Sequence, residues 1–486
     1  MKLSELLALS RLSPVPASFD HEIESVTGNS AEAGAGSLFV CVRGFTNDGH
    51  DFAPDCYARG CRTFVAERPL DLPSDALVIT VGNSRRALAS VSHAFYGFPS
   101  EKLRVIGITG TKGKTSVTHT LAAILNSAGI PAACIGTTGV DLPGYHAETG
   151  NTTPESIRLA SILADLVNRG VRVAILEVSS QALYLDRVYG IRFFATAFTN
   201  LSPDHIGSSE HPSFAHYLHC KHKLFAEYPA HLAVFNASDP YFAAMSENCL
   251  AEMRTFGTPA SDYFGSDICS SVSDGTPGVR FTLCRGSLRL PAFLPLPGEY
   301  NVQNALCAIA LAEALGVPPA QSVSALQAVR VPGRSEPFYA PTGALFLIDY
   351  AHNGISVESV LRTLRPLCKK KLWCVIGSVG GRTRLRRSAI GKAVSTLCDE
   401  VVLTSDNPDY ESPRAICEDI RDAFVRDVSC HVIENRADAI RFAAQHAAKG
   451  DIVLLAGKGH EQYQLICGEK HPFSERAVLE ECFEKE

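Results

Sequence analysis

A chain of 486 residues has the length of two to four domains at roughly 150 residues each, with ample material for buried cores. Apolar content of 46% and charged content of 20% are those of an ordinary globular protein, and a net charge of −6 leaves no global basic footprint, which argues against nucleic acid as the main partner. No run of 18 apolar residues exists, and the apolar stretch at residues 6–10 is flanked by Glu5 and Arg11 without a small-residue cleavage site, so neither a membrane span nor a signal peptide is expected.

In chain order, residues 1 to about 98 read as α/β material without a phosphate loop: a strand from Leu38 to Val42, a polar turn, a helix from Phe52 and a strand from Thr63. The next stretch, LRVIGITGTKGKTSVTHT from Leu103 to Thr120, is the most informative in the chain. An apolar, β-branched run ends at Ile108, and Gly107, Gly110 and Gly113 lead into a helical pattern. A strand, glycine loop and helix in that order aim several backbone N–H groups and a helix N-terminus at one point, which suits a phosphate chain. Lys114 would sit on the β/γ-phosphates and Thr115 would give its hydroxyl to Mg²⁺. Ile108 stands where the common GxxxxGK[ST] pattern has its first glycine; the alternative is a tight turn with a surface lysine.

Further apolar strands, Pro131 to Ile135, Val171 to Leu176, Phe194 to Phe198 and Leu232 to Phe235, alternate with helical stretches and imply βα units around a mostly parallel sheet. Ligands gather beyond the carboxyl ends of such strands, where Glu177, then Asp204 and His205, fall; Lys221 lies on the following helix. From about residue 332 a further α/β unit has strands Leu345 to Ile348, Leu372 to Ile376, Glu400 to Leu403 and Ile452 to Leu455, with helices such as Val357 to Leu364 and Pro413 to Phe424. Its polar residues again sit at strand ends: Asp349, Tyr350 and His352; 380–387; Asp406 to Asp409; Lys458 to Glu461. The sixteen cysteines are scattered without a CxxC pair, which fits free thiols in a reducing cytoplasm better than disulfides or a zinc site.

Ten motifs in order, GITGTKGKTS, NTTPES, LEVSS, TNLSPDHIG, the lysine of YLHCKHKLF, GEYNVQNALCAIA, VPGRSE, DYAHNG, DNP and GKGHEQYQ, span nearly the whole chain. Together they resemble the Mur ligase family, and within it the MurE branch, which adds the third amino acid of the peptidoglycan stem peptide. The resemblance implies an α/β protein of three domains: an N-terminal UDP-binding domain (1–98), a central P-loop, parallel-sheet ATPase domain (99–331) and a C-terminal Rossmann-like domain (332–486) that brings the amino acid. It also implies an ATP-dependent amide ligase in the cytoplasm, a monomer without membrane insertion. Its partners would be UDP-N-acetylmuramoyl-L-alanyl-D-glutamate and a free amino acid, joined through an acyl phosphate.

The site residues carried over by the resemblance are expectations. Gly110, Thr111, Lys112, Gly113, Lys114, Thr115 and Ser116 would hold ATP, with Asn301 and Asn304 flanking adenine and Arg334 and Asp349 at the hinge and ribose; Asn301 could equally be only a helix N-cap. Two Mg²⁺ sites would draw on Thr115, Glu177, His205 and Lys221, the lysine carbamylated by CO₂ into an oxygen ligand. Lys114, His205 and Lys221 are the catalytic candidates; a helix-capping Glu177, a core His205 and a solvated Lys221 are the plain alternatives. Asn29, Ser30, Asn151, Thr152, Thr153, Ser179 and Arg187 would meet the UDP substrate, although Asn29 replaces an aspartate and Leu185 a glutamine common among relatives.

Arg382, Asp406, Asn407, Pro408, Asp409, Gly457 and Glu461 would bind the amino acid. Diaminopimelate-adding members typically carry DNPR, whose arginine grips a second carboxylate, whereas this chain has DNPD. An arginine–carboxylate pair is worth roughly 1.5–3 kcal/mol, and an aspartate would replace attraction by repulsion, so the expected amino acid is L-lysine. Diaminopimelate or L-ornithine are the alternatives within the branch. Asp409 pointing to solvent is the alternative for the residue, and a folylpolyglutamate synthetase-like enzyme, a nonenzymatic nucleotide-sugar binder or a regulatory ATPase the remoter ones.

Overall fold

The computed structural model describes residues 1–484 except 13–15, 205, 208, 209, 274, 382 and 383. Two compact units divide the described chain: Met1–Asp262 with Cys307–Pro318, and Tyr263–Leu306 with Pro319–Glu486.

The first unit holds two sheets. A four-stranded parallel sheet runs Ser25–Thr27, Ser37–Val40, Thr63–Ala66 and Leu77–Thr80. Leu38, Val40 and Val65 of this sheet share a core with Leu88, Val91 and Ala94 of the Ser84–Phe95 helix. The eight-stranded sheet has the spatial order Glu252–Phe256, Leu232–Asn236, Phe193–Phe198, Arg104–Thr109, Val173–Glu177, Ala132–Gly136, Gly139–Leu142 and Tyr145–Ala147. Six strands are parallel and the last two return antiparallel. Its central strands are mostly apolar and buried nearly throughout, as a sheet covered on both faces requires. The strand carrying the glycine loop therefore lies in the middle of the sheet, between those ending at Phe198 and Glu177. Lys221 lies on the Phe214–Ala226 helix, which starts where the Ser213 hydroxyl accepts the His216 N–H.

The second unit has a six-stranded sheet in the order Glu336–Tyr339, Leu345–Asp349, Ile452–Ala456, Leu372–Ile376, Glu400–Leu403 and Ser429–Val432, parallel except for its first strand. Its helices begin at side-chain caps, Asn353 for Gly354–Leu364 and Ser412, followed by proline, for Pro413–Arg421. The strands match those read from the sequence closely. A three-stranded antiparallel sheet, Phe264–Ser273, Thr276–Arg285 and Leu288–Leu294, was not anticipated from the sequence, and neither was the Tyr463–Ile466 and Glu469–Pro472 hairpin. Among the described residues no helix is long and apolar enough to cross a membrane, and all sixteen cysteines are free thiols.

The Ser84–Phe95 helix lies against the segment following Glu177: the Asn83 amide donates to Asp186 at 3.3 Å and Arg86 pairs with the same carboxylate. His93 of that helix is buried with no hydrogen-bond partner on either ring nitrogen, and burial pushes its pKa down to about 4. The unfolded chain, with an ordinary histidine, binds the extra proton first as pH falls, so stability drops between about pH 6.5 and 4. We expect His93→Leu to remove about 2 kcal/mol of the stability difference between pH 7 and pH 5. Urea unfolding at the two pH values checks this; an unchanged difference would contradict it.

Candidate functional site

Around the glycine loop, the backbone leaves the Arg104–Thr109 strand through Gly110, at φ 151°, and Gly113, at φ 85°, and enters the Lys114–Ser127 helix. A Cβ on Gly110 would stand 1.9 Å from the Thr199 hydroxyl oxygen, so no other residue fits there without a shift. The segment after the Phe193–Phe198 strand is stitched to the loop. Asn200 accepts the Lys112 N–H at 2.9 Å through its side chain and the Thr111 N–H at 2.8 Å through its carbonyl. Lys112's carbonyl accepts from the Thr199 hydroxyl at 2.6 Å and the Asn200 amide at 3.0 Å. The Thr111 hydroxyl lies 3.1 Å from that of Tyr217.

Two ammonium groups end on one carbonyl oxygen. Lys114 Nζ donates to Gly110 O at 2.9 Å and to Thr111 O at 3.1 Å; Lys221 Nζ donates to Gly110 O at 2.8 Å from a buried position over the Tyr217 ring. Burial, and then the charge of Lys114, hold the Lys221 pKa well below the usual lysine value. The solvated-face alternative for Lys221 is therefore excluded. Thr115 and Ser116 are also buried, in the first turn of the helix.

Glu177 ends its strand buried, and it caps no helix. Its two carboxylate oxygens accept the Thr137 N–H and hydroxyl, each at 3.1 Å, and Thr137 Oγ1 lies 3.1 Å from the Thr152 hydroxyl. A Cβ on Gly136 would collide with this carboxylate, so the glycine makes room for it. Thr153 donates to Glu177 O and contacts Ser179, while Arg187 donates to Thr153 O at 3.1 Å. The structure thus gathers Thr152, Thr153, Glu177, Ser179 and Arg187, with Thr137 as a member that sequence reading missed. Asn151 is exposed beside them. Asn29 is exposed in the first sheet's layer, where it caps residues 30–32 and donates to Glu32. His205 and Arg382 lie outside the described residues.

In the second unit, Asn301 does not act as a side-chain N-cap: its amide donates to Pro297 O at 2.9 Å, and its oxygen accepts from Asn304 at 3.0 Å. Asp349 uses both oxygens on backbone, accepting the N–H of Ser335 at 2.7 Å and of Ala351 at 2.8 Å, which shapes the turn carrying Arg334; the Arg334 guanidinium lies over the Tyr350 ring.

The carboxyl ends of the Glu400–Leu403 and Ile452–Ala456 strands hold a dense polar cluster. Lys458, fully buried, donates to Asn407 at 2.8 Å and Glu461 at 2.6 Å, and Asn407 donates to Glu461 at 3.1 Å. Gln464 donates to Ser405 and Asp406. Gly457, at φ 116°, leaves its Cα face against the Asp406 carboxylate. Beneath them the buried Arg436 donates to Ser405 O at 3.2 Å, Ala456 O at 2.7 Å and the buried Glu475 at 2.8 Å, locking the two strand ends together. Neither Arg436 nor Glu475 carried a motif signal; Lys458 and Gln464 stood within GKGHEQYQ.

Two charged residues of this region, Asp409 and Arg387, have local structural roles. Asp409 adopts φ 53°, and its carboxylate accepts the Gly468 N–H at 2.8 Å, capping the 463–472 hairpin turn. Its carboxylate thus has a hairpin-capping role beside any role toward a substrate. In the basic run, Arg387 is buried and held by both oxygens of Glu411 at 2.6 Å and by Asp419 at 2.8 Å, so it is a structural cation.

Comparison with known proteins matches three family models in order: the Mur ligase family catalytic domain at residues 22–96, the Mur ligase middle domain at 108–312, and the Mur ligase glutamate ligase domain at 333–459. A protein of Bacillus licheniformis named UDP-N-acetylmuramoyl-L-alanyl-D-glutamate–2,6-diaminopimelate ligase is 38% identical over 99% of this chain and 100% of its own length. One of the same name from Clostridium botulinum is 37% identical over 95% of each. A solved structure, also of a ligase of that name, superposes with a TM-score of 0.71 at 26% identity, covering 100% of this chain and 99% of its own.

Breaking the Arg436–Glu475 pair from one side leaves a buried carboxylate without its partner. We expect Arg436→Met to cost about 3–5 kcal/mol and Arg436→Met/Glu475→Leu to recover most of it. The fluorescence of Trp373, the single tryptophan, lies in the same sheet and reports the urea transition; a single-variant loss below about 1 kcal/mol would contradict the assignment.

Proposed function

Because the chain belongs to the Mur ligase family, we propose that it joins a free diamino acid to UDP-N-acetylmuramoyl-L-alanyl-D-glutamate while ATP is converted to ADP and phosphate. It is a ligase of the UDP-N-acetylmuramoyl-tripeptide synthetase type. The observation that carries the reading is the convergence of Lys114 and Lys221 on Gly110 beside a helix N-terminus, where the Lys114 charge and the loop N–H groups suit a polyanion.

The loop amides and Lys114 hold the triphosphate, and Lys114 follows the terminal phosphoryl group as it moves to the D-glutamate carboxylate. The resulting acyl phosphate is attacked by the amine, and phosphate leaves. The side chains position the reactants and offset negative charge; no covalent step on the protein is required. Thr115 and Glu177 supply the hard oxygen donors that suit Mg²⁺, which when bound neutralises phosphate charge. Lys221, with its lowered pKa, is held toward the neutral amine, the form that adds CO₂; the carbamate supplies a further anionic oxygen ligand. Thr152, Thr153, Ser179 and Arg187 line the UDP-substrate side, with Asn29 and Ser30 toward uridine, and Asn407, Gly457 and Glu461 face the amino acid. The division 1–98, 99–331 and 332–486, a monomeric state and a cytoplasmic location go with this reading.

For the third residue the reading is meso-diaminopimelate, favoured by the relatives named for it and by the hairpin-capping role of Asp409. L-lysine is the second reading, favoured by the missing arginine at 409.

Phosphate release measured with ATP, the UDP-muramoyl dipeptide and meso-diaminopimelate, L-lysine or L-ornithine in parallel should be at least tenfold faster with diaminopimelate at limiting concentration. Faster turnover of L-lysine would transfer the assignment to the second reading, and release with none would remove the ligase reading. Lys221→Ala should lose about a hundredfold or more in kcat, with partial rescue by formate or acetate; undiminished turnover would eliminate the carbamate.

A further inference from the structure

Apart from the glycine loop, the described residues bring a second set of ligating atoms together. His211, His216 and Cys220 each place one within 4.8 Å of the others. His211 and Cys220 are buried and His216 half-buried. His216 and Cys220 share one face of the Phe214–Ala226 helix at a spacing of four, and His211 reaches them from the preceding segment.

The ring nitrogens are already arranged for metal. His211 Nε2 lies 2.9 Å from the Ser180 hydroxyl, a contact that orients the ring and turns Nδ1 toward the cluster. Nδ1 of His211 is 2.9 Å from Nδ1 of His216, and Cys220 Sγ is 3.7 Å from the same His216 nitrogen. Tetrahedral zinc, with Zn–N near 2.0–2.1 Å and Zn–S near 2.3 Å, sets ligand atoms roughly 3.3 Å apart for two nitrogens and roughly 3.6 Å for nitrogen and sulfur. The sulfur spacing fits as it stands, and the nitrogens need part by only about 0.4 Å. The Tyr184 ring packs edge-on against His216, bracing it.

We propose that His211, His216 and Cys220 form a zinc site, with the fourth position taken by water on the half-exposed side of His216. Two imidazoles and a thiolate select a borderline-soft cation, whereas the oxygen donors near the glycine loop select a hard one, so the two sites take different metals. On binding, the Cys220 thiol gives its proton to solvent and coordinates as thiolate. The metal then ties His211 to the helix that presents Lys221, one residue beyond Cys220.

Cobalt(II) added to the chelator-treated full-length chain reads the site without turnover. One equivalent should give tetrahedral visible bands and a thiolate-to-metal charge-transfer absorption, and zinc should abolish both. Cys220→Ser should lose the charge-transfer band. His216→Asn, which keeps the thiol and lies at a half-exposed position, should bind cobalt at least tenfold more weakly while retaining its circular dichroism. A purely octahedral cobalt spectrum, a charge-transfer band that persists in Cys220→Ser through exposed thiols such as Cys269 and Cys467, or unchanged affinity in His216→Asn would each overturn the proposal.

Discussion

The oxygen of Gly110 is where the first unit concentrates its electrostatics. Two lysine ammonium groups reach it, one from the helix that follows the loop and one from the helix that carries Lys221. Two like charges sharing one acceptor repel, a term the fold must offset. Three responses are open to it: a proton leaves Lys221, Lys221 becomes an anion by carbamylation, or a polyanion enters between the cations. Burial, and after it the charge of Lys114, lowers the Lys221 pKa toward the first response, and the proposed ligase chemistry calls on the other two. Thr199 and Asn200 leave Gly110 no room for a side chain and are themselves bonded to backbone atoms of the loop, so a loop that must approach phosphate closely is braced from behind.

The second unit solves a related problem with a different device. Asp406, Asn407, Gly457 and Lys458 sit at the ends of two strands whose terminal carbonyls would otherwise lack partners. Arg436 answers both carbonyls with one planar cation, and Glu475 neutralises it from behind. Such a buried pair adds little net stability over apolar residues of the same volume, but it ties the segment after Leu403 to the end of the Ile452–Ala456 strand across the intervening Leu372–Ile376 strand. With those ends fixed, Lys458 can be held by Asn407 and Glu461 at full burial.

What could be read from the sequence follows from how local each signal is. The strand, glycine loop and helix at 103–120 and the buried parallel strands are contiguous patterns, and they appear where expected. The antiparallel sheet at 264–294 is rich in serine and glycine and only weakly alternating, and the turn at 286–287 between its last two strands carries little apolar signal. Arg436 and Glu475 are 39 residues apart and announce nothing singly. Counting cysteines for CxxC pairs passed over Cys220 because its partners are histidines, one of them on the next helical turn. For Asn301 a helix N-cap was the alternative to an adenine contact, and its amide instead faces backward to Pro297, a contact that no local pattern announces.

The residue after Asn407–Pro408 illustrates why charge alone is a poor guide to selectivity. A left-handed backbone at 409 is comfortable for aspartate and asparagine and unusual for arginine. The same conformation brings the Asp409 carboxylate onto the Gly468 N–H and its backbone into register with Leu465 and Cys467, so the side chain serves the hairpin that packs beside the amino-acid cluster. An arginine here would forfeit that cap and meet strain. Position 409 therefore answers to hairpin geometry as well as to the charge of the incoming substrate.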